Sequence, residues 1–295
     1  MALKIAYCAG HYINTPGKRI PEYLDKNETR EWVLNDKVAR YFAEAAQCYG
    51  VSLLRTDDPT GKCFVDIPQR TAKANAWGAD LYIDMHHNAG IDGGFGGGIV
   101  VYSFPGSLKG AMYRNSIYES LIAGGGLKGN RSQPLQEKAF DSLALTAMPA
   151  VLVEYGFMDS RADAPVILTD SYAKAVAYAT MEGVAKAANL QTADAQETFV
   201  RDVQSAIGAQ IDGIVGSETL CKTPTVSATK NRVHPVVEVL QRRLADLGYS
   251  QVGIPDGITG PKFDDAVKAF QKDNDCVVDG EITAGNKTWR KLLGL

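Results

Sequence analysis

The polar and apolar positions of the first half of the chain alternate in short runs separated by longer periodic stretches. Leu3-Lys4-Ile5-Ala6-Tyr7 opens a strand over residues 3–9 that runs into Gly10-His11. A polar loop with Pro16-Gly17 and Pro21 follows. From Asn27 or Thr29 the period becomes helical: Leu34, Val38, Tyr41 or Phe42, Ala45 and Tyr49 recur at steps of three and four, and Gly50 stands where a helix ends. Residues 51–55 read as a second strand and 67–77 as a helix. In residues 79–88, Leu81, Ile83 and Met85 alternate with Tyr82, Asp84 and His86, so this is a strand that closes on His86-His87-Asn88. Residues 99–102 form another apolar strand, 107–123 a helix, 149–153 a buried strand ending in Glu154-Tyr155-Gly156-Phe157, and 171–188 a closing helix.

Strands alternating with helices predict an α/β fold: a mostly parallel twisted sheet flanked by helices. Composition shifts at Gln191-Thr192-Ala193-Asp194-Ala195, which reads as a linker over 191–198. Beyond it the chain repeats itself. Gln204, Asp212-Gly213, Gly216 and Thr219-Leu220 make one unit; Gln241, Asp256-Gly257, Gly260, Ala266-Val267 and Phe270-Gln271 make a longer one; Asp279-Gly280 and Thr283 begin a third. Asp-Gly pairs between amphipathic helices are turns, and their recurrence at matching offsets predicts a small helical C-terminal domain over 199–295. The first copy, 199–220, is shorter than the second.

The totals exclude several classes. Residues 191–295 carry 12 basic and 14 acidic side chains within a net charge of −3, so neither half has the basic excess of a nucleic-acid binder. No apolar run reaches membrane-spanning length. Five scattered cysteines without CxxC spacing argue against a disulfide framework and for synthesis in a reducing compartment. The N-terminus lacks a charged-apolar-small signal pattern.

Candidate chemistry lies at the element ends. His11 follows the first strand, Glu31 falls in the first turn of the first helix, and His86 closes a later strand. Two imidazoles and one carboxylate suit zinc, leaving a position for a water whose pKa would fall to about 7. Glu31 is equally explained by the helix dipole, which favours a carboxylate there. Glu154 ends a continuously apolar strand, where desolvation would raise its pKa toward general acid/base range. Gly93 to Gly98 lacks the strand–GxGxxG–helix order of a phosphate loop and reads as a flexible rim beside a groove. Cys8 reads as a core residue, a Cys8/His11 nucleophilic pair needing an unusual turn.

Four segments occur in order: Ala9-Gly10-His11; Glu31-Trp32-Val33-Leu34-Asn35 leading into Val38-Ala39; Ala79-Asp80-Leu81 through His86-His87-Asn88; and Met148-Pro149-Ala150-Val151-Leu152-Val153-Glu154-Tyr155-Gly156-Phe157. They resemble the zinc-dependent N-acetylmuramoyl-L-alanine amidases of bacteria and phages over about residues 1–190. The resemblance implies His11, Glu31 and His86 as zinc ligands and Glu154 as the catalytic carboxylate. Residues 199–295 resemble helical peptidoglycan-binding modules through their DGxxG turns. The expected partner is therefore peptidoglycan, with no nucleic acid and no membrane insertion.

Glu28 competes with Glu31, whose distance to Val38-Ala39 matches the family helix better. Strand alternation puts His87 on the face opposite His86. Asp84 shares the His86 face within reach of its second nitrogen, and a surface-facing aspartate is the commoner explanation. The alternative role for Glu154 is structural, an ion pair with an arginine such as Arg131. Rival functions are a zinc peptidase cutting within the stem peptide and a non-catalytic wall-binding scaffold. Without an export signal, a wall hydrolase is expected to be made in the cytoplasm and to reach the wall after phage-type lysis or export.

Overall fold

The computed structural model describes residues 2–190 and 192–295. They form two compact units, Met1–Ala188 and Asn189–Leu295. The first contains β1 (Lys4–Ala9), α1 (Glu31–Ala46), β2 (Ser52–Arg55), α2 (Ile67–Trp77), β3 (Leu81–Asn88), β4 (Val100–Ser103), α3 (Leu108–Ala123), β5 (Leu135–Glu137), α4 (Asp141–Ala144), β6 (Ala150–Phe157), α5 (Ala164–Ile167) and α6 (Asp170–Ala187). Its six-stranded sheet has the order β2-β1-β3-β6-β4-β5. All neighbours are parallel except β4 and β6. That exception follows from the connection: the loop between β3 and β4 carries no helix, and a parallel return normally needs a helical crossover.

Strand alternation sorts the core. Ala6, Cys8, Tyr82, Ala150 and Leu152 pack with Ala74 of α2 and Leu143 of α4 on one face. On the other, Tyr7 meets Phe42 of α1 at 5.5 Å between ring centroids, and the buried α1 positions Leu34, Val38 and Phe42 follow the expected period. Where the pattern allowed Tyr41 or Phe42 inward, Phe42 is fully buried and Tyr41 instead donates to Asp170 Oδ2 at 2.6 Å.

The first helix starts later than its sequence predicts. Thr29 donates through both N–H and Oγ1 to Asp25 Oδ2, at 2.8 and 2.5 Å. Glu28 is left-handed (φ 46°), and Arg30 bridges Arg19 in antiparallel fashion. This Asp25-centred turn holds the chain out of helical conformation until Glu31, which becomes the first helical residue.

In the second unit, α7 (Ala193–Ile207), α8 (Ser217–Lys222), α9 (Val236–Asp246), α10 (Pro261–Asp273) and α11 (Lys287–Leu292) surround Phe199, Val203, Leu240, Phe263 and Trp289. The stretch expected as a linker is mostly helix: Gln191 lies outside the described residues, Thr192 accepts from the N–H of Ala195 as an N-cap, and 193–198 begin α7. The polar residues that signalled a linker are the start of a capped helix.

Three glutamines organise the repeats. Gln241 Nε2 donates to Asp256 Oδ1 (2.9 Å) and Ile258 O (3.1 Å), and its Oε1 accepts from the N–H of Asp256 (3.0 Å) and Gly257 (2.8 Å). Gln204 makes the same four bonds to the 212–214 turn, and Gln271 to the 279–281 turn. The glutamine of the third copy is therefore Gln271, placed in the second copy by sequence alone. The first copy is short but its turn is closed in full. Replacing Gln204, Gln241 or Gln271 by alanine should each lower the stability of this unit by about 1–3 kcal/mol, the cost of stranding partly buried backbone donors. Urea melts followed by tryptophan fluorescence test this; a Gln204→Ala protein with an unchanged midpoint would show that the first turn is held by something else.

Candidate metal centre

β1, α1 and β3 bring three side chains together at the C-terminal edge of the sheet. His11 leaves β1 in the left-handed region (φ 66°). Its carbonyl accepts from Arg70 Nη2 at 2.6 Å, which fixes that backbone. Glu31, the first residue of α1, has no accessible surface. Its Oε2 lies 3.3 Å from His11 Nε2 and 3.6 Å from Lys18 Nζ. Its Oε1 lies 3.0 Å from His86 Nδ1 and accepts from the His87 N–H at 3.3 Å. One donor atom from each of His11, Glu31 and His86 falls within 4.8 Å of the others, a group able to hold a metal ion.

Three observations fit a cation here. The donors are two imidazoles and a carboxylate, a zinc-type set. Glu31 Oε2 is sealed from solvent and has no hydrogen bond of proper geometry among the described residues. Gly10 forms a cradle: a Cβ on it would overlap the His86 ring, so only glycine lets that imidazole lie across the backbone.

The electrostatics set the two nearby carboxylates apart. Burial alone would raise the Glu31 pKa, but the His11 and His86 imidazoles beside it override that and hold it well below the usual range. Glu154 pairs in register with His86 across β3 and β6. Burial, reinforced by the charge of Glu31 and opposed by His86, pushes its pKa up to about 7. Its Oε2 is buried with no hydrogen-bond partner among the described residues. His11 is lowered, chiefly by burial. A cavity of about 300 Å³ opens beside His11 and His86, walled by Phe64, Ile67 and Tyr82.

The remaining candidates find other places. Glu28 pairs with Arg19 at 2.9 Å on the surface, away from the group. His87 points to the opposite face, its Nδ1 2.8 Å from Asn35 Oδ1, and burial pushes its pKa down to about 4. No ion pair joins Glu154 to Arg131 among the described residues; Arg131 lies over the Phe157 ring at 4.8 Å. Cys8 is buried in the sheet, its thiol pKa raised mainly by burial. Asp84 is only 4% exposed, against the expectation of a surface-facing residue. Its Oδ1 stands 3.1 Å from His86 Nε2 and accepts from Cys8 Sγ at 2.9 Å.

The glycine-rich segment is pinned by internal anions. Asp159 Oδ2 accepts from the N–H groups of Gly90, Ile91 and Asp92 at 2.7–2.9 Å, and Asp163 Oδ2 from Gly98 and Phe157 at 2.7 and 2.9 Å. The backbone donors just before this segment and at its end are thus occupied by carboxylates. Sequence reasoning passed over Asp159, Lys18 and Asn35. Asn35 sits one helical turn after Glu31 and was visible as an i,i+4 polar pair on a helix's buried side.

These features define a class: an α/β protein whose sheet edge carries a group able to hold a metal ion beside a carboxyl of raised pKa, an arrangement compatible with metal-assisted hydrolysis. Comparison gives the family. Residues 5–186 match N-acetylmuramoyl-L-alanine amidase, and the chain belongs to that family. Residues 233–292 match a peptidoglycan binding domain. The N-acetylmuramoyl-L-alanine amidase CwlM of Bacillus licheniformis is 34% identical over 145 residues, covering 49% of this chain and 53% of that protein. The endolysin of Bacillus phage SPP1 is 35% identical over 147 residues, 48% of this chain and 51% of that protein. The chain thus spans about half the length of the curated relatives it matches. The catalytic domain of the amidase CwlV from Bacillus (Paenibacillus) polymyxa var. colistinus shares the fold, with TM-score 0.56 at 18% identity over 64% of this chain and 99% of that one.

The Gly10 cradle is directly testable. Gly10→Ala should cost about 1–3 kcal/mol of stability by overpacking against the His86 ring and should weaken uptake of a divalent metal in calorimetric titration. Wild-type melting and metal uptake in that variant would mean the ring does not lie over residue 10.

Proposed function

We propose that this chain is a zinc-dependent N-acetylmuramoyl-L-alanine amidase, which hydrolyses the amide joining the lactyl group of muramic acid to the L-alanine of the stem peptide in peptidoglycan. The observation that carries this reading is the meeting of His11, Glu31 and His86 beside the buried Glu154 carboxylate, in a domain of that family. His11, Glu31 and His86 would hold the ion. When bound, zinc supplies Lewis-acid charge stabilisation and an acidified water at neutral pH.

The protein's own residues do the rest. Glu154 Oε2, which has no hydrogen-bond partner among the described residues, takes the proton of the attacking water and returns it to the alanine nitrogen, a poor leaving group unless protonated. Its raised pKa matches that task, since a base near neutrality can both accept and release the proton. The side chain projects from β6, whose Ala150–Val153 run is buried, so it stands on a rigid base. Asn35 Nδ2 donates to the Gly10 carbonyl at 3.1 Å and to Glu31 Oε1 at 3.5 Å, holding β1's exit against the first helix. The cavity beside His11 and His86 receives substrate flanking the scissile bond. The second unit, with its three glutamine-closed turns, holds the enzyme on the wall.

Purified protein should carry about one zinc. His11→Ala, Glu31→Ala and His86→Ala should each lose it, while His87→Ala keeps it. Glu154→Gln should keep zinc and melting temperature but lose roughly 10²-fold or more in turnover of soluble muropeptide, the scale of a missing general base. In the wild type, kcat/KM should rise with pH through an ionisation at or below about 7, because a protonated Glu154 cannot act as base and a bound cation favours its anion. That acidic limb should be absent in Glu154→Gln. Mass spectrometry of digested wall decides the bond: free lactyl groups support the amidase, and new amines within the peptide would replace it with a peptidase.

The two units should also separate. A fragment ending at residue 190 should cleave soluble muropeptide yet attack intact walls more slowly, and the 189–295 fragment should sediment with walls and cleave nothing. A C-terminal fragment that stays in the supernatant at every salt concentration would remove its targeting role.

A further inference from the structure

Behind His86 lies a buried polar layer that the chemistry above leaves unused. Asp84 is two residues upstream on the same face of β3, and its Oδ1 stands 3.1 Å from His86 Nε2. The same oxygen accepts from Cys8 Sγ, its register partner on β1, at 2.9 Å. A charge so placed needs compensation, and the His86 imidazole and the Cys8 thiol supply it. Arg70, 5% exposed, contacts the same thiol. Arg70 Nη1 reaches Cys8 Sγ at 3.7 Å and the Ala9 carbonyl at 3.1 Å, its Nη2 the His11 carbonyl, and its Nε the Val65 carbonyl at 2.8 Å. One guanidinium thus ties the Cys8 thiol to the strand exit that carries His11.

We propose that Asp84 is the positioning residue of the metal centre: it accepts the Nε2 proton of His86 and so commits the Nδ1 lone pair to the metal. This rests on the reading of His11, Glu31 and His86 as metal ligands. The geometry leaves little alternative for the ring. Nε2 faces a buried carboxylate, Nδ1 faces Glu31 Oε1 at 3.0 Å, and the Gly10 backbone lies flat beneath the imidazole. A flipped ring would turn a C–H toward Asp84 and take the imidazole donor from a buried anion that keeps only neutral partners such as the Cys8 thiol, which is costly. A carboxylate on the distal nitrogen also makes the imidazole a stronger donor. His11 has no such partner: its Nε2 faces Glu31, and the structure gives it no second carboxylate among the described residues. The two histidines are therefore unequal, and His86 is the anchored one.

The test uses the full-length chain and zinc itself. In the long-range 1H–15N spectrum of zinc-loaded wild-type protein, His86 should show a protonated Nε2 and a metal-bound Nδ1; a protonated Nδ1 overturns the proposal without any mutation. Asp84→Asn, which keeps shape and an acceptor but loses the charge, should weaken zinc binding roughly 10- to 100-fold in competition with a chelating dye, the usual effect of removing such a partner. Cys8→Ala, which removes the thiol from the same oxygen, should leave zinc affinity within about twofold, since a thiol–carboxylate contact does not orient the ring. Wild-type zinc affinity in a folded Asp84→Asn protein would make Asp84 a purely structural partner of Cys8 and Arg70. Wild-type protein that takes up no zinc overturns the metal centre itself, and this proposal with it.

Discussion

The first unit is arranged around a carboxylate that water cannot reach. Glu31 receives His11 from the end of β1, the His86 ring and the His87 N–H from the end of β3, and Asn35 from its own helix. A buried anion is tolerated only when it is surrounded by donors, so this one demands that β1, β3 and the start of α1 arrive together. The Asp25 turn delays α1 until residue 31, and the Glu31 N–H then binds the Lys18 carbonyl at 3.0 Å. A helix begun one turn earlier would carry this side chain away from the sheet edge. Fold and site are therefore one constraint: the interaction that gathers the donors also fixes the helix to the strands.

Much of this was legible in the sequence because the relevant signals are local. The period of two in 79–88 fixed which residues share a face, so His86 and His87 separate as alternation requires, and the 67–77 helix has the expected bounds. Other features depend on partners far along the chain. The start of α1 was misread because Thr29 and Asn27 look like caps, whereas Asp25 uses Thr29 to close a turn. Strand alternation already put Asp84 within reach of His86, but its burial is not legible, because it depends on Cys8, 76 residues earlier, packed across the sheet. The strand β5, three residues long, has no periodicity to detect. The glycine-rich rim read as flexible because its anchors, Asp159 and Asp163, lie some 65 residues downstream.

The C-terminal unit shows a different economy of information. One glutamine per copy satisfies four groups of an Asp-Gly turn, whether eight or fifteen residues separate the glutamine from the aspartate. The bond pattern survives the change in spacing because the amide side chain offers the two donors and the acceptor capacity that the turn needs. A short copy is therefore not a degraded one. What differs between copies is the length of chain between helix and turn, not the way the turn is closed.

Glu31 and Glu154 carry the last step of the argument. They are the same residue type, placed close enough for the charge of Glu31 to raise the pKa of Glu154. Two carboxylates that close cannot both be stabilised as anions by the same imidazoles, and the hydrogen bonds decide which one is. Glu31 takes the histidines and stays ionised; Glu154, with an oxygen left without a partner among the described residues, titrates near neutrality. Environment thus sets two like side chains apart, one an anion held by imidazoles and the other a carboxyl that titrates near neutrality. Exchanging the roles would require moving the histidines and not the glutamates. The positions of His11 and His86, fixed by Gly10, Arg70 and Asp84, are for that reason what specifies the site.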